Sequence, residues 1–252
     1  MRADSASRSS PGPLSRGAVP ALALLAAAVS ACWRIGEPTP GDALVTWAAY
    51  PETVRVGGTF SFELAGPITT TQCGRLDTAT IAVSADAIVL AARRSTFDAT
   101  CAPQRVSFYE ARPIVIERAG TYAVRTAEGR DFGSLVATDS GPFAPIVTRG
   151  DGTVREAGGC LLFGPGWIGN QRVFALSGAP AALREASGTD RIVHVRGILR
   201  GFSYCGSWGS RPRIRVDTAW VTDRRAEDWY RAGGGRGAPA AQTDSQEARD
   251  GR

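Results

Sequence analysis

Cysteine and histidine are the residue types in this chain whose chemistry is most informative, and both are scarce. The 252-residue sequence contains one histidine, His194, and five cysteines. The cysteines are Cys32, Cys73, Cys101, Cys160 and Cys205. No CxxC motif occurs and His194 has no partner at ligand spacing, so a metal site is a weak alternative to disulfide bonds.

Four of the cysteines are expected to form two disulfide bonds. Setting Cys32 aside leaves an even number, which allows three connectivities. The spacing favours Cys73–Cys101 and Cys160–Cys205, because the two pairs fall on either side of a break near residue 145. Disulfide bonds are typical of exported proteins.

Nucleophilic catalysis is not indicated. Val193 and Val195 flank His194 and share one apolar face, so we expect the histidine to be exposed on the other face of a strand. Ser203 and Ser207 lie nearby in sequence, but no GxSxG motif is present and acyl transfer needs a histidine beside its nucleophile.

Acidic residues do not single out a glycosidase site either. A carboxylate pair could be drawn from several positions, and the sequence selects none of them. These positions are Asp86, Asp98, Glu110 and Glu117. We therefore predict a protein that is not an enzyme and has no catalytic residue, metal or cofactor.

The basic residues are all arginine, since the chain has no lysine, and the formal net charge is +5. A GC-rich genome accounts for this bias without selection for acidic partners. Arg211, Arg213 and Arg215 alternate along one segment and would line one strand face. Arg196 and Arg200 lie nearby, and the aromatic residues Phe202, Tyr204 and Trp208 could stack on a ligand. We predict a candidate ligand surface for an anionic polymer or glycan, formed by Arg196, Arg211, Arg213, Arg215 and Trp208; the alternative is a solvated strand face.

The N-terminus has the three parts of a secretory signal peptide. Arginines in residues 1–17 precede an apolar run, 18–31, that is too short to span a bilayer. The segment Val29-Ser30-Ala31-Cys32 resembles the lipobox of bacterial lipoproteins. That resemblance implies cleavage after residue 31 and acylation of Cys32; cleavage by the general signal peptidase is the alternative.

Lipidation would attach the protein to a membrane, because lipoprotein processing adds more than one acyl chain. Trp33 follows the cysteine where, in that family, an aspartate signals inner-membrane retention. The expected location is therefore the cell envelope, at the outer membrane if there are two. Residues 32–42 contain two prolines and two glycines and are expected to form a tether.

Residues 43–140 are predicted to form a β-sandwich. The clearest strand is 59–64, whose alternation places Phe60, Phe62 and Leu64 on one face. Six further strands are expected, at 79–83, 87–92, 105–110, 113–117, 121–126 and 133–137. The segment A-G-T-Y-A-V around Tyr122 resembles the tyrosine corner of immunoglobulin-like domains. That resemblance implies that the Tyr122 hydroxyl bonds back to the backbone, although Val124 replaces the usual cysteine.

Residues 147–223 are predicted to form a small five-stranded barrel. Strands are expected at 160–163, 172–176, 191–195, 198–203 and 214–221. The V-H-V-R-G segment before Cys205 resembles OB-like domains of bacterial lipoproteins, which implies an OB-like fold; another small barrel topology is the alternative. This segment carries ten arginines and six acidic residues, whereas 43–140 carries nine and ten.

The remaining segments are expected to lack regular structure. Residues 141–146 form a Pro-rich joint, and 224–252 a disordered tail in which Trp229 and Tyr230 are the last ordered residues. The sequence thus predicts an all-β, lipid-anchored envelope protein with a noncatalytic binding or scaffolding role. Its expected partners are the membrane and an envelope glycan or protein, with no nucleic acid. The alternatives are a glycan-acting hydrolase and a secreted module that binds anionic polymers.

Overall fold

The computed structural model describes residues 37–97, 100–140, 144–166 and 172–232. Within these ranges, fourteen strands and two short helices follow one another, so the predicted all-β class is confirmed. The strands are β1 (Thr39–Ala43), β2 (Trp47–Pro51), β3 (Thr53–Arg55), β4 (Thr59–Thr71), β5 (Gly74–Val83), β6 (Ala87–Thr96), β7 (Pro103–Val115), β8 (Gly120–Thr126), β9 (Asp131–Thr138), β10 (Ile146–Ala157), β11 (Cys160–Pro165), β12 (Phe174–Ser177), β13 (Arg191–Tyr204) and β14 (Ser210–Arg225). The helices are α1 (Ala181–Glu185) and α2 (Ala226–Ala232).

Two sheets pack face to face in the first half of the chain. One sheet has the order β1-β6-β8-β9-β3, with β5 paired along β6. Strands β2, β4 and β7 belong to the other sheet. Phe60, Phe62 and Leu64 of β4 are buried in the core between the sheets, as the alternating pattern predicts.

Strands β10 to β14 close into a ring in the second half of the chain. The pairing runs β10-β11-β12-β14-β13 and returns from β13 to β10. All of these pairs are antiparallel except β12 with β14, and α1 lies between β12 and β13. Val193, Val195 and Ile214 are buried inside this ring. The ring is therefore a five-stranded barrel.

Strand β2 joins the sandwich to the barrel. It pairs with β4 on one side and with β10 on the other, so a single eight-stranded sheet runs through both halves. Its side chains alternate: Ala48 and Tyr50 pack into the sandwich core, whereas Trp47 and Ala49 pack into the barrel core. The strand is buried on both faces, and its alternate residues complete the two cores.

The sequence predicts two domains, 43–140 and 147–223, separated by a joint. In the structure, the described residues from Pro38 onward cluster as one compact unit, because β10 begins at Ile146, the last residue of the predicted joint, and pairs with β2. The difference has a physical cause. A separate barrel would expose the face that Trp47 covers.

Two other predicted boundaries differ from the structure. Strand β1 overlaps the predicted tether, 32–42, in all but its last residue, and it pairs with the end of β6. The predicted disordered tail, 224–252, is wrong at its start, because β14 runs to Arg225 and α2 follows it. Trp229 is 1% exposed, which agrees with its expected packing. Residues 233–252, including the glycine run, lie outside the described residues.

The predicted signal peptide, 1–31, and the predicted lipidation site, Cys32, also lie outside the described residues. Among the residues that the structure describes, no helix is long and apolar enough to cross a membrane.

Candidate functional site

Two exposed aromatic side chains stand at the tip of the hairpin formed by β13 and β14. Phe202 is 68% exposed and Tyr204 is 79% exposed. They lie two residues apart on β13 and face Pro212 and Ser210 across the hairpin, so both project from one face. We call Phe202 and Tyr204 the aromatic tip.

A backbone irregularity carries the tip past the end of the barrel. The register of the two strands shifts between Leu199 and Phe202, where Gly201 has a φ of +59°. Such a bulge increases strand twist and redirects the side chains that follow it. Leu199 packs against the barrel core, whereas Phe202 and Tyr204, beyond the bulge, are left in solvent.

The hairpin is held in place by a disulfide bond. Cys205 at the tip is joined to Cys160, the first residue of β11, with a Cα–Cα distance of 5.4 Å. Close backbone contact reinforces this link, because a Cβ on Gly158 would lie 2.0 Å from the Cys205 carbonyl oxygen. The turn before β11 and the hairpin tip therefore form one braced unit, and only glycine fits at position 158.

Both predicted disulfide pairings are confirmed. Cys73 and Cys101 also lie at disulfide distance, with Cα atoms 5.6 Å apart. The loops between the partners span 28 and 45 residues. In the chain-entropy model each cross-link stabilises the fold by about 4 kcal/mol. No group of residues suited to a metal ion occurs among the residues described.

The structure divides the predicted ligand surface into parts. Arg211 lies 5.8 Å from the ring of Trp208, and the Arg213 Nε donates a hydrogen bond to the Arg200 carbonyl at 3.1 Å. Arg215 is exposed and pairs with Asp217. Trp208 is half-buried against the outer barrel wall and is less available for stacking than the two aromatic-tip residues.

Arg196 lies in a different place from the other arginines of the predicted surface. It lines a cleft of about 180 Å³ where β10 and β13 meet the start of β9. The other lining residues are Tyr50, Glu52, Phe132, Gly133, Ser134, Val147, Thr148 and Arg149. Tyr50 donates a hydrogen bond to the Phe132 carbonyl, and burial raises the pKa of its hydroxyl above the usual range. The ligand surface expected from sequence therefore corresponds to two separate regions.

The environment of His194 differs from the expected exposed position. Its side chain is 14% exposed, its Nδ1 lies 2.7 Å from the Asp151 carboxylate, and its ring stacks on Trp220 at 4.2 Å. Arg130 donates to the second Asp151 oxygen. The histidine is partly buried because β10 packs beside it and supplies its acidic partner. Strand β10 was not predicted from the sequence.

Asp151 is the buried anion of this group, with a side chain 7% exposed. Burial alone would raise the pKa of the carboxyl, but the hydrogen bond from His194 and the charge of Arg130 hold that pKa below its usual range. No described serine, threonine or cysteine is hydrogen-bonded to His194. The group is thus an ion-pair network without a nucleophile.

The candidate glycosidase carboxylates are not assembled into a site. Asp86 and Glu117 are exposed, and Glu110 pairs with Arg112 at 3.1 Å. Asp98 lies outside the described residues. In the part of the chain that the structure describes, these acids therefore offer no enclosed pair for general acid–base chemistry.

A wider, open cleft of about 470 Å³ lies beside α2. It is lined by Thr70, Pro103, Gln104, Arg105, Glu227 and Tyr230. Arg105 makes two hydrogen bonds to Asp190, at 2.9 and 2.8 Å, and these hold the pKa of Asp190 below its usual range. Arg105 of β7 also pairs with Glu227 of α2, at 3.8 Å. The charged side chains at this cleft therefore connect β7 to α2 and to the residue before β13.

Comparisons with protein-family models, with curated proteins and with solved structures find no match for this chain. The function is therefore argued from geometry.

Proposed function

We propose that this chain is an exported cell-envelope protein, lipid-anchored at Cys32, with a noncatalytic binding role, and that it binds through the aromatic tip. The observation that carries the proposal is the exposure of Phe202 and Tyr204 on a hairpin that a disulfide bond holds rigid. Exposed aromatic pairs on a rigid support are typical of binding surfaces, because little conformational entropy is lost when a ligand stacks on them.

The barrel topology supports assignment to the OB-like group. Five strands close with one parallel pair, and a short helix lies between the third and fourth barrel strands. The aromatic tip lies at the end of the fourth strand, next to the loop between the fourth and fifth strands, which is one of the loops through which OB-like barrels bind ligands. The Cys160–Cys205 bond connects it to the start of the second strand, beside the other binding loop.

One contact supports the immunoglobulin-like assignment of the sandwich. The Tyr122 hydroxyl donates to the Arg118 carbonyl at 2.9 Å, which is the hydrogen bond that the tyrosine corner implies. In this proposal the sandwich and the barrel are two familiar units that share strand β2.

An envelope glycan is the ligand we propose for the aromatic tip. The flat apolar faces of sugar rings stack on aromatic side chains, and OB-like barrels bind oligosaccharides as well as oligonucleotides. Export favours the glycan, because an exported protein meets little nucleic acid. The two disulfide bonds support export, since they persist in oxidising compartments.

The anchoring is tested by the intact, unreduced mass of the protein extracted from bacterial membranes. We expect a chain that starts at Cys32, carries acyl groups and lacks four protons because of two disulfide bonds. A Cys32→Ser variant should move to the soluble fraction. An unmodified chain that starts at Met1 and has free thiols would contradict export.

Glycan binding is tested by cosedimentation with purified peptidoglycan sacculi. Replacing both aromatic-tip residues, Phe202→Ala with Tyr204→Ala, should reduce the bound fraction at least tenfold, because each lost stacking contact is worth about 1–3 kcal/mol. The control is Val83→Ala with Val115→Ala, which changes two exposed apolar residues, at 41% and 42% exposure, on other strands. Equal binding by both double variants would rule out the aromatic tip.

A further inference from the structure

Two arginines face each other in the small cleft beside β9. Arg149 of β10 and Arg196 of β13 are directly paired in the antiparallel register, and both line the cleft. Like charges at directly opposite positions destabilise a sheet. A sequence that keeps such a pair bears an electrostatic cost unless an anion lies between the two guanidinium groups.

The hydrogen-bonding capacity of these arginines is only partly used. The Arg149 Nε is buried and has no hydrogen-bond partner, although the same side chain forms a long ion pair of 3.7 Å with Asp131. Arg196 is exposed and forms no ion pair with any residue that the structure describes. Buried donors are normally satisfied, so the unpaired Nε leaves the hydrogen-bonding capacity of Arg149 incomplete.

The shape of the cleft admits only a small group. Its volume is about 180 Å³. Gly133, with a φ of +97°, keeps it open, because a Cβ there would approach the Tyr50 hydroxyl at 3.2 Å and an Arg149 nitrogen at 3.4 Å. Glu52 is the acidic side chain among the lining residues, and Asp131 pairs with Arg149 from outside the lining, which leaves Arg196 as the lining arginine without an ion pair among the described residues.

The geometry points to a binding site for a single carboxylate, carried by a small molecule or by the end of a peptide, between Arg149 and Arg196. A guanidinium presents paired N–H donors that match the two oxygens of a carboxylate. A bound carboxylate would give Arg196 the acidic partner that Asp131 gives Arg149, and it would offset the repulsion across the strands. This site lies apart from the aromatic tip, and its assignment does not rest on the proposed glycan binding.

The test is thermal unfolding of the disulfide-bonded protein in acetate, N-acetylglycinate or phosphate, each compared with chloride at equal ionic strength. We expect a saturable rise of roughly 3–5 °C in the unfolding midpoint at a carboxylate concentration ten times the Kd. Acetate represents the carboxylate of a small molecule, and N-acetylglycinate represents the end of a peptide. The compound that gives the larger rise in the unfolding midpoint identifies which of the two carries the carboxylate.

Substitution of Arg196 distinguishes binding from a structural role. In chloride, Arg196→Gln should unfold at a slightly higher temperature than the wild type, because the repulsion with Arg149 is removed, and its carboxylate-dependent rise should disappear. Arg125→Gln, at an exposed arginine of β8, should keep the full rise. A rise that Arg196→Gln retains, or one that phosphate alone produces, would overturn the carboxylate site.

Discussion

At the scale of single residues, Asp151 shows how one buried acid changes the meaning of its neighbours. His194 has no partner at ligand spacing in the sequence, and the valines that flank it predict an exposed position on a strand. Asp151 lies 43 positions away and reaches His194 only through the pairing of β10 with β13. The resulting network with Arg130 connects the turn between β8 and β9 to the barrel. Its role is to stabilise this connection.

The first prediction concerns the stability that Asp151 provides. Its folded pKa lies below the unfolded value of 3.8, so its contribution is complete above about pH 5 and is lost as the pH falls through the folded pKa. Asp151→Asn should lower the free energy of unfolding at pH 7 by about 3 kcal/mol, because Arg130 loses its buried ion pair and His194 loses its hydrogen-bond partner. Stability should then depend less on pH between 5 and 2. Urea unfolding across this range measures both effects.

Asp223→Asn is the matched control, because Asp223 is fully exposed and its ion pair with Arg191 is solvated. Its effect should stay within about 0.5 kcal/mol. If Asp151→Asn kept the wild-type acid dependence, the network would not be responsible for it.

At the scale of elements, what could be predicted from sequence depended on whether a strand has a solvent side. Exposed and buried residues alternate at the start of strand β4, because one face of the strand is less buried there. Its core residues were therefore predicted correctly. Strand β2 is buried on both faces and shows no alternation, so it was missed. Strand β10 contains Gly150-Asp151-Gly152, which is typical of a turn. These two missed strands are the ones that pair the sandwich with the barrel.

The glycines of β10 serve close packing. A Cβ on Gly150 would lie 2.3 Å from the Thr46 carbonyl oxygen and 2.5 Å from the Trp47 Cα. These are backbone atoms that cannot move aside without breaking the pairing of β2 with β10. Phe202 and Tyr204 of the aromatic tip were named from the sequence as residues that could stack on a ligand. The position of Arg149 opposite Arg196, in contrast, depends on the register of β10 with β13.

The second prediction follows from this contact. Gly150→Ala should destabilise the protein by about 3 kcal/mol, since strain at a φ of +148° is added to the clash with β2. Gly188→Ala is the control, because Gly188 also has a positive φ, +73°, but has no atom near the added Cβ. It should cost about 1 kcal/mol. Equal losses in denaturant unfolding would show that the β2 contact is unimportant.

At the scale of the whole molecule, the sandwich and the barrel depend on each other. Tyr50 and Trp47 point to opposite sides of β2 and are each almost fully buried, in different cores. Without β2, the barrel core therefore loses Trp47 and Ala49. Without β4, strand β2 loses one of its two neighbouring strands. This coupling predicts a single cooperative unit.

The third prediction tests that coupling. Phe62→Ala in the sandwich core should lower global stability by about 3–5 kcal/mol. Hydrogen exchange of the β13 amides in the barrel should accelerate by the factor that corresponds to the same loss of stability, because both halves open together. Val115→Ala, at a 42% exposed position, should leave exchange almost unchanged. A sandwich-core variant with unchanged barrel exchange would show that the halves unfold separately.

The shared strand also has a consequence for the order in which the chain can fold. Trp47 is made early, yet its barrel partner Phe174, whose ring centre lies 5.1 Å away, follows more than a hundred residues later. Until β10 to β14 exist, Trp47 on this face of β2 is covered only in part, by Tyr109 of β7, whose ring centre lies 6.2 Å away. Contacts at such long sequence separation close slowly, since the loop entropy is lost before the contact forms. The barrel side of Trp47 therefore stays uncovered in the nascent or newly translocated chain until the barrel strands have emerged.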